Sequence, residues 1–211
     1  MILVIGNKQY SSWSLRPWLV MKQFEIPFEE KLIPLDLPTT HGEILKFSPS
    51  GKVPALIDGK ITVWESLAIA EYLNEKFPKK QMWPRHPEAR ALARAVANEM
   101  HGGFQSMRNH MPHDLKKKLA TFDVEPASGD IQRVKQIWVN CLTQFGGPFL
   151  FGEFSIADAM YAPVVNRFVS YGIPLDGVVA DYVKTMRTLP AHAEWIDQGE
   201  KETLRMPRYE R

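Results

Sequence analysis

Apolar and polar residues alternate in short blocks over residues 1–77 and settle into longer helical periods from residue 88 onward. Ile2 to Ile5 is an apolar run closed by Gly6, the pattern of a buried strand. Leu15, Trp18, Leu19 and Met21 follow at roughly helical spacing, behind several serines able to cap. Phe28 to Leu35 alternates through Ile33 and predicts a second strand. A polar turn, Pro38 to Gly42, precedes a short helix expected over Glu43 to Phe47. Val53 to Ile57 and Lys60 to Val63 flank Asp58-Gly59, a strong hairpin signal. Leu67, Ile69, Ala70, Leu73 and Phe77 then form an amphipathic helix stopped by Pro78. The order β-α-β-α-β-β-α is an α/β plan, a helix-linked parallel pair followed by a hairpin and a covering helix.

Residues 78–87, with three prolines and four basic side chains, read as a linker. Beyond it the strand signals fade. One helix is expected from Glu88 to about Asn109, carrying Leu92, Val96, Met100, Gly103 and Met107. Asp130 is placed as the cap of the next, which runs through Ile131, Val134, Trp138, Cys141, Leu142 and Phe145. Ser155 and Asp158 imitate a capping box, and two more helices follow Pro174 and Pro190. The pattern therefore predicts an α/β unit over 1–77 and an all-α unit over 88–211.

Composition narrows the function classes. Hydrophobic residues make up 45% of the 211, which is globular rather than disordered composition. A net charge of +2 gives no strong pull toward nucleic acid or anionic lipid. The one basic run, Lys116 to Lys118, reads as a solvated helix end. Cys141 is the single cysteine, which excludes an internal disulfide framework and a CxxC redox or zinc site. The histidines show no metal-ligand spacing, so no metal is expected. No apolar run reaches the ~18 residues of a membrane span. The expectation is a soluble cytoplasmic protein with neither nucleic-acid nor membrane partners.

Three short runs carry candidate chemistry. Tyr10-Ser11-Ser12-Trp13-Ser14-Leu15-Arg16 lies where the first strand hands over to the first helix. Hydroxyls and free N–H groups at a helix start suit an anion, a thiolate included. Ser50-Gly51-Lys52-Val53-Pro54 precedes the third strand. A cis Val53-Pro54 bond there would leave the Val53 backbone free for an extended peptide, and Lys52 could meet its carboxylate. Glu65-Ser66 opens the third helix, where the hydroxyl and N–H of Ser66 suit a carboxylate and Glu65 suits an ammonium. Taken singly, each run is also an ordinary cap or an exposed lysine.

In combination the three runs make the chain resemble the cytosolic glutathione transferase superfamily over nearly its full length. Ser48-Pro49-Ser50-Gly51-Lys52-Val53-Pro54, Glu65-Ser66-Leu67-Ala68-Ile69-Ala70-Glu71-Tyr72-Leu73 and Phe154-Ser155-Ile156-Ala157-Asp158 are similar to superfamily patterns. The serine run Ser11 to Arg16 is most similar to the opening of zeta-class and related bacterial transferases. The resemblance implies a thioredoxin-like amino-terminal domain with a helical partner. It implies that Ser11 donates to the glutathione sulfur, with Ser12 and Ser14 as alternates. Val53, before Pro54, would pair with the cysteinyl backbone. Glu65 and Ser66 would hold the γ-glutamyl end, and His41 and Lys52 would lie near the glycyl carboxylate. It also implies a homodimer and no cofactor, glutathione being a co-substrate. Trp13 stands where the zeta pattern usually has cysteine, which weakens the maleylacetoacetate isomerase reading and removes the thiol-transferase nucleophile.

The energetics suit that role. A free thiol has a pKa of about 8.5, and lowering it by ~2 units takes about 2.7 kcal/mol. One charge-assisted hydrogen bond supplies roughly 1.5–3 kcal/mol and a helix start about 0.3–1 more. The leading expectation is a glutathione transferase acting on a small hydrophobic electrophile, in a detoxification role. Its apolar pocket is expected to be walled by Trp13, Met100, Gly103, Phe104 and Met107, with Asn98 and Met111 as weaker candidates. The alternatives are a glutathione-dependent isomerase or peroxidase on the same site, or a non-catalytic binding or stress protein of the same fold.

Overall fold

The computed structural model describes residues 1–119 and 121–206. The last positions of the expected helical unit, 207–211, lie outside the described residues. The amino-terminal part runs β1 (Ile2–Ile5), α1 (Ser12–Gln23), β2 (Glu29–Leu32), α2 (Thr40–Leu45), β3 (Ala55–Asp58), β4 (Ile61–Trp64) and α3 (Ser66–Lys76). The sheet order is β2-β1-β3-β4, with β1 and β2 parallel and β3 antiparallel to both β1 and β4. Alternation along β1 explains the layers. Leu3 and Ile5 join the core beneath α1 and α3, while Val4 faces the other way onto Ile44 of α2. The second strand is shorter than its alternation suggests, because pairing with β1 ends at Leu32.

The helical part comprises α4 (Pro87–Gly102), α5 (Gln105–His110), α6 (Ser128–Phe145), α7 (Ile156–Ser170), α8 (Gly177–Thr188) and α9 (Pro190–Lys201). Helix α7 is buried on nearly all sides and packs against both α1 and α4, joining the two parts into one core. Trp138 of α6 meets Tyr161 and Tyr182 edge to face and Phe168 at a tilt in its middle. No helix among the described residues is long and apolar enough to cross a membrane.

Further details differ from the sequence pattern, the smallest being that α2 starts at Thr40, inside the stretch expected as a turn, and ends at Leu45. The helix expected over Glu88 to Asn109 is broken. Gly103 is extended and Phe104 takes a left-handed conformation (φ 61°), so α5 starts in a new direction. A side chain at Gly103 would press on the Glu99 carbonyl at 2.7 Å, which fixes glycine there. Asp130 does not cap its own helix: its carboxylate accepts the N–H of Met107 (2.8 Å) in the first turn of α5. Lys116 to Lys118 lie in a loop rather than at a helix end. The 78–87 segment is tied down, with Met82 and Trp83 buried, the Met82 carbonyl accepting the Ile156 N–H and Trp83 Nε1–H donating to Glu71.

Candidate functional site

Ser11 is the residue that caps α1, and its Oγ accepts the Ser14 N–H at 3.4 Å. The helix start that it terminates opens on a cavity of about 480 Å³. Ser11, Ser12 and Trp13 form the wall of this cavity on the α1 side. A second cavity, of about 390 Å³, is lined by Trp13, Ser50, Lys52, Val53, Pro54 and Glu65. Trp13 and Val53 border both, so the two spaces adjoin. The Val53-Pro54 peptide is cis.

Structure separates the three serines. Ser11 and Ser12 keep slight exposure on the cavity wall, whereas Ser14 is fully buried beneath them. Ser14 Oγ accepts the Gly6 N–H (3.1 Å) and the hydroxyl proton of Ser11 (2.7 Å). Ser14 therefore does not reach the cavity as an alternate sulfur donor, because the helical step from position 11 to 14 turns it inward under β1. Glu65 precedes α3 with φ 69°, a strained conformation for a non-glycine residue that aims its half-exposed carboxylate toward His101 (3.5 Å). Ser66 is buried behind Glu65, and Arg16 Nη1–H donates weakly to its Oγ (3.5 Å). Lys52 is exposed at the mouth of the smaller cavity. His41 is exposed and packs over Gly51, whose φ of 65° and missing side chain admit the imidazole.

The far wall of the larger cavity is not the apolar one expected. Met100 and Met107 are fully buried in the core, Phe104 is nearly so, and none of these or Gly103 lines the cavity. Met111 is likewise buried, and Asn98 donates to the Arg94 carbonyl on the outside of α4. The break at Gly103-Phe104 is the cause: it rotates α5 so that Gln105, Arg108 and Asn109 face the cavity while Met107 faces the core. His113 and Arg167 complete a polar, basic wall.

Electrostatics follow from that wall. Arg108 stacks on Trp13 (4.8 Å to the ring) and donates to the Gly103 carbonyl (2.9 Å) and the Met100 carbonyl, capping α4; its Nη1 is buried with no partner among the described residues. Arg16 stacks on Trp13 too, at 4.3 Å. Burial, then the charges of Arg108 and Arg167, push the Arg16 guanidinium below its ordinary pKa. Burial, with Arg167 and His192 nearby, holds His113 well below the ordinary histidine value, so its imidazole is neutral at pH 7. A helix start and two arginines around one cavity favour bound anions. Sequence reasoning missed Arg108, Arg167 and His113, which sit in ordinary polar stretches (Arg108-Asn109-His110, His113-Asp114, Asn166-Arg167) that no motif marks; the Gly102-Gly103 pair was the signal that the helix ends there.

Comparison with known proteins follows this geometry. The glutathione S-transferase N-terminal domain family matches residues 10–76. Maleylacetoacetate isomerase of Rattus norvegicus is 35% identical over 172 residues, covering 78% of this chain and 76% of that protein. Dichloromethane dehalogenase of Methylorubrum extorquens is 43% identical over only 65 residues, 30% of this chain and 23% of that protein. The crystal structure of a glutathione S-transferase from the Antarctic clam Laternula elliptica superposes with a TM-score of 0.75 at 25% identity, covering 96% of this chain and 95% of that one.

Proposed function

The chain belongs to the glutathione S-transferase family, and on that premise we propose that it activates glutathione at the start of α1 and directs the sulfur at an electrophile in the larger cavity. One observation carries the reading. Ser11 caps α1 on the wall of a cavity that shares Trp13 and Val53 with an adjoining peptide-sized space. In this reading the tripeptide lies in the smaller cavity. Val53 pairs with its cysteinyl backbone, Glu65 and Ser66 hold its γ-glutamyl end, and Lys52, beside His41, meets its glycyl carboxylate. The Ser11 hydroxyl donates to the sulfur as a hydrogen-bond donor and not as a nucleophile. No residue forms a covalent bond to glutathione, and the helix start adds a partial positive charge where the thiolate forms.

A second reading of the electrophile is favoured by the basic wall. Arg108 and Arg167 suit a substrate bearing a carboxylate better than a purely hydrophobic one. This moves the isomerase alternative ahead of the peroxidase. A homodimer fits the exposed Ile61 and Trp64 on the β4 edge and Leu92 on α4, apolar residues that a second copy would cover.

Calorimetry with glutathione tests the first claim, and turnover with matched neutral and carboxylate-bearing electrophiles tests the second. Micromolar to millimolar glutathione binding and preference for the charged electrophile are expected. A folded protein that takes up no glutathione would sink the reading and leave the non-catalytic alternative.

A further inference from the structure

We propose that Ser14 is a positioning residue: its buried hydroxyl, anchored by the Gly6 N–H, turns its own proton onto Ser11 Oγ when the sulfur is bound, and so frees the Ser11 proton for the sulfur. The inference rests on the reading of Ser11 given above and adds a part to it.

The argument is one of hydrogen-bond capacity. Each serine hydroxyl has one proton to give and two lone pairs. Ser14 Oγ accepts from the Gly6 N–H at 3.1 Å and from the Ser11 hydroxyl at 2.7 Å. The Ser11 proton therefore points inward, away from the cavity. The Gly6 N–H is held by the backbone at the end of β1 and can only donate, so its direction is fixed. A thiolate can only accept. When it reaches Ser11, the serine must turn its proton outward, and two oxygens 2.7 Å apart would then face each other with no hydrogen between them. The Ser14 hydroxyl has no other acceptor among the described residues, so rotation of its proton onto Ser11 relieves the repulsion at no loss elsewhere.

The reversed chain runs from the Gly6 N–H to Ser14 Oγ, from the Ser14 hydroxyl to Ser11 Oγ, and from the Ser11 hydroxyl to the sulfur. No covalent bond breaks and no proton leaves its oxygen; two O–H bonds rotate. Each bond polarises the next, which strengthens the last one, and the low dielectric of a fully buried Ser14 favours that effect.

The test titrates the thiol of bound glutathione in the wild type and in Ser11→Ala, Ser14→Ala and Ser14→Cys, and measures affinity for S-methylglutathione, whose sulfur cannot ionise. Ser14→Ala is expected to raise the bound thiol pKa by on the order of half a unit, with S-methylglutathione affinity unchanged. The sign separates the alternatives. If Ser14 merely competes for the Ser11 proton, its removal lowers the thiol pKa. If Ser14 only braces Gly6, the melting temperature falls and the thiol pKa stays put. Either result overturns the proposal. Ser14→Cys puts a larger, weaker donor in the same place; with the protein's own thiol background subtracted, it should shift the bound thiol pKa in the same direction by less, and it decides the matter if the alanine variant does not fold. A bound thiol unmoved by Ser11→Ala is a separate outcome, which removes the underlying role of Ser11.

Discussion

Replacing Ser11 with alanine separates chemistry from folding more cleanly than any other change at this site. The side chain is 6% exposed and small, so the substitution leaves little void. Its capping contact to the Ser14 N–H is long, 3.4 Å, and its 2.7 Å bond to the buried Ser14 hydroxyl is lost as well, which places the stability cost at about 1–2 kcal/mol. Packing of α1 against α7 holds the helix regardless. The functional loss is larger. A hydroxyl donating to an anion contributes roughly 1.5–3 kcal/mol, so its removal should raise the thiol pKa of bound glutathione by about 1–2 units. Starting from a bound thiol ~2 units below the free value, the thiolate fraction at neutral pH would drop roughly 3- to 25-fold, and turnover with it. The thiolate absorbance of bound glutathione gives the pKa, and calorimetry gives affinity at a pH where the thiol is protonated in both proteins. The reasoning fails if thiol pKa and turnover are unchanged. It also fails for Ser11, in favour of its neighbour on the cavity wall, if Ser12→Ala produces the shift instead.

Three further outcomes are expected. Arg108→Gln should raise KM for a carboxylate-bearing electrophile roughly tenfold and spare a matched neutral one; equal losses for both would reduce Arg108 to its contacts with the Met100 and Gly103 carbonyls. Asp158→Ala should destabilise the fold by about 3 kcal/mol or more in urea unfolding, since the buried carboxylate accepts the Leu150 and Ser155 N–H groups and the Ser155 and Tyr182 hydroxyls; a loss under about 1 kcal/mol would contradict this accounting. His192, buried with Nδ1–H donating to the Met186 carbonyl at 3.0 Å, has its pKa brought down by burial from 6.5 to about 4. The unfolded chain therefore binds a proton that the folded one refuses across that window, and stability falls as pH drops through it, by on the order of 3 kcal/mol at its lower end. His192→Asn should flatten that part of the stability profile, and an unchanged slope would refute the assignment.

The order of strands and helices is legible because most elements carry their own apolar period; β2, Glu29–Leu32, is an exception with no buried residue, read only from the alternation that flanks it. Sheet order is one step harder: nothing in Ala55–Asp58 itself says that it pairs with β1, and only the connection lengths confine it there. The break between α4 and α5 escapes the pattern for a physical reason. Met100, Phe104 and Met107 are buried on both sides of the kink, so the apolar spacing runs straight through a change of direction made by two backbone conformations. That miss propagates into the site. Apolar periodicity locates the core, whereas a cavity is lined by what the core leaves over, and on α5 this means Gln105, Arg108 and Asn109 rather than Met107. The same geometry sorts the serine run. Three hydroxyls within four residues look equivalent in sequence, yet one helical step sends Ser14 under β1 and leaves Ser11 and Ser12 on the wall. A motif thus supplies the type of chemistry, and the helix start at Ser12 decides which hydroxyl can meet a ligand and which can act only through its neighbour.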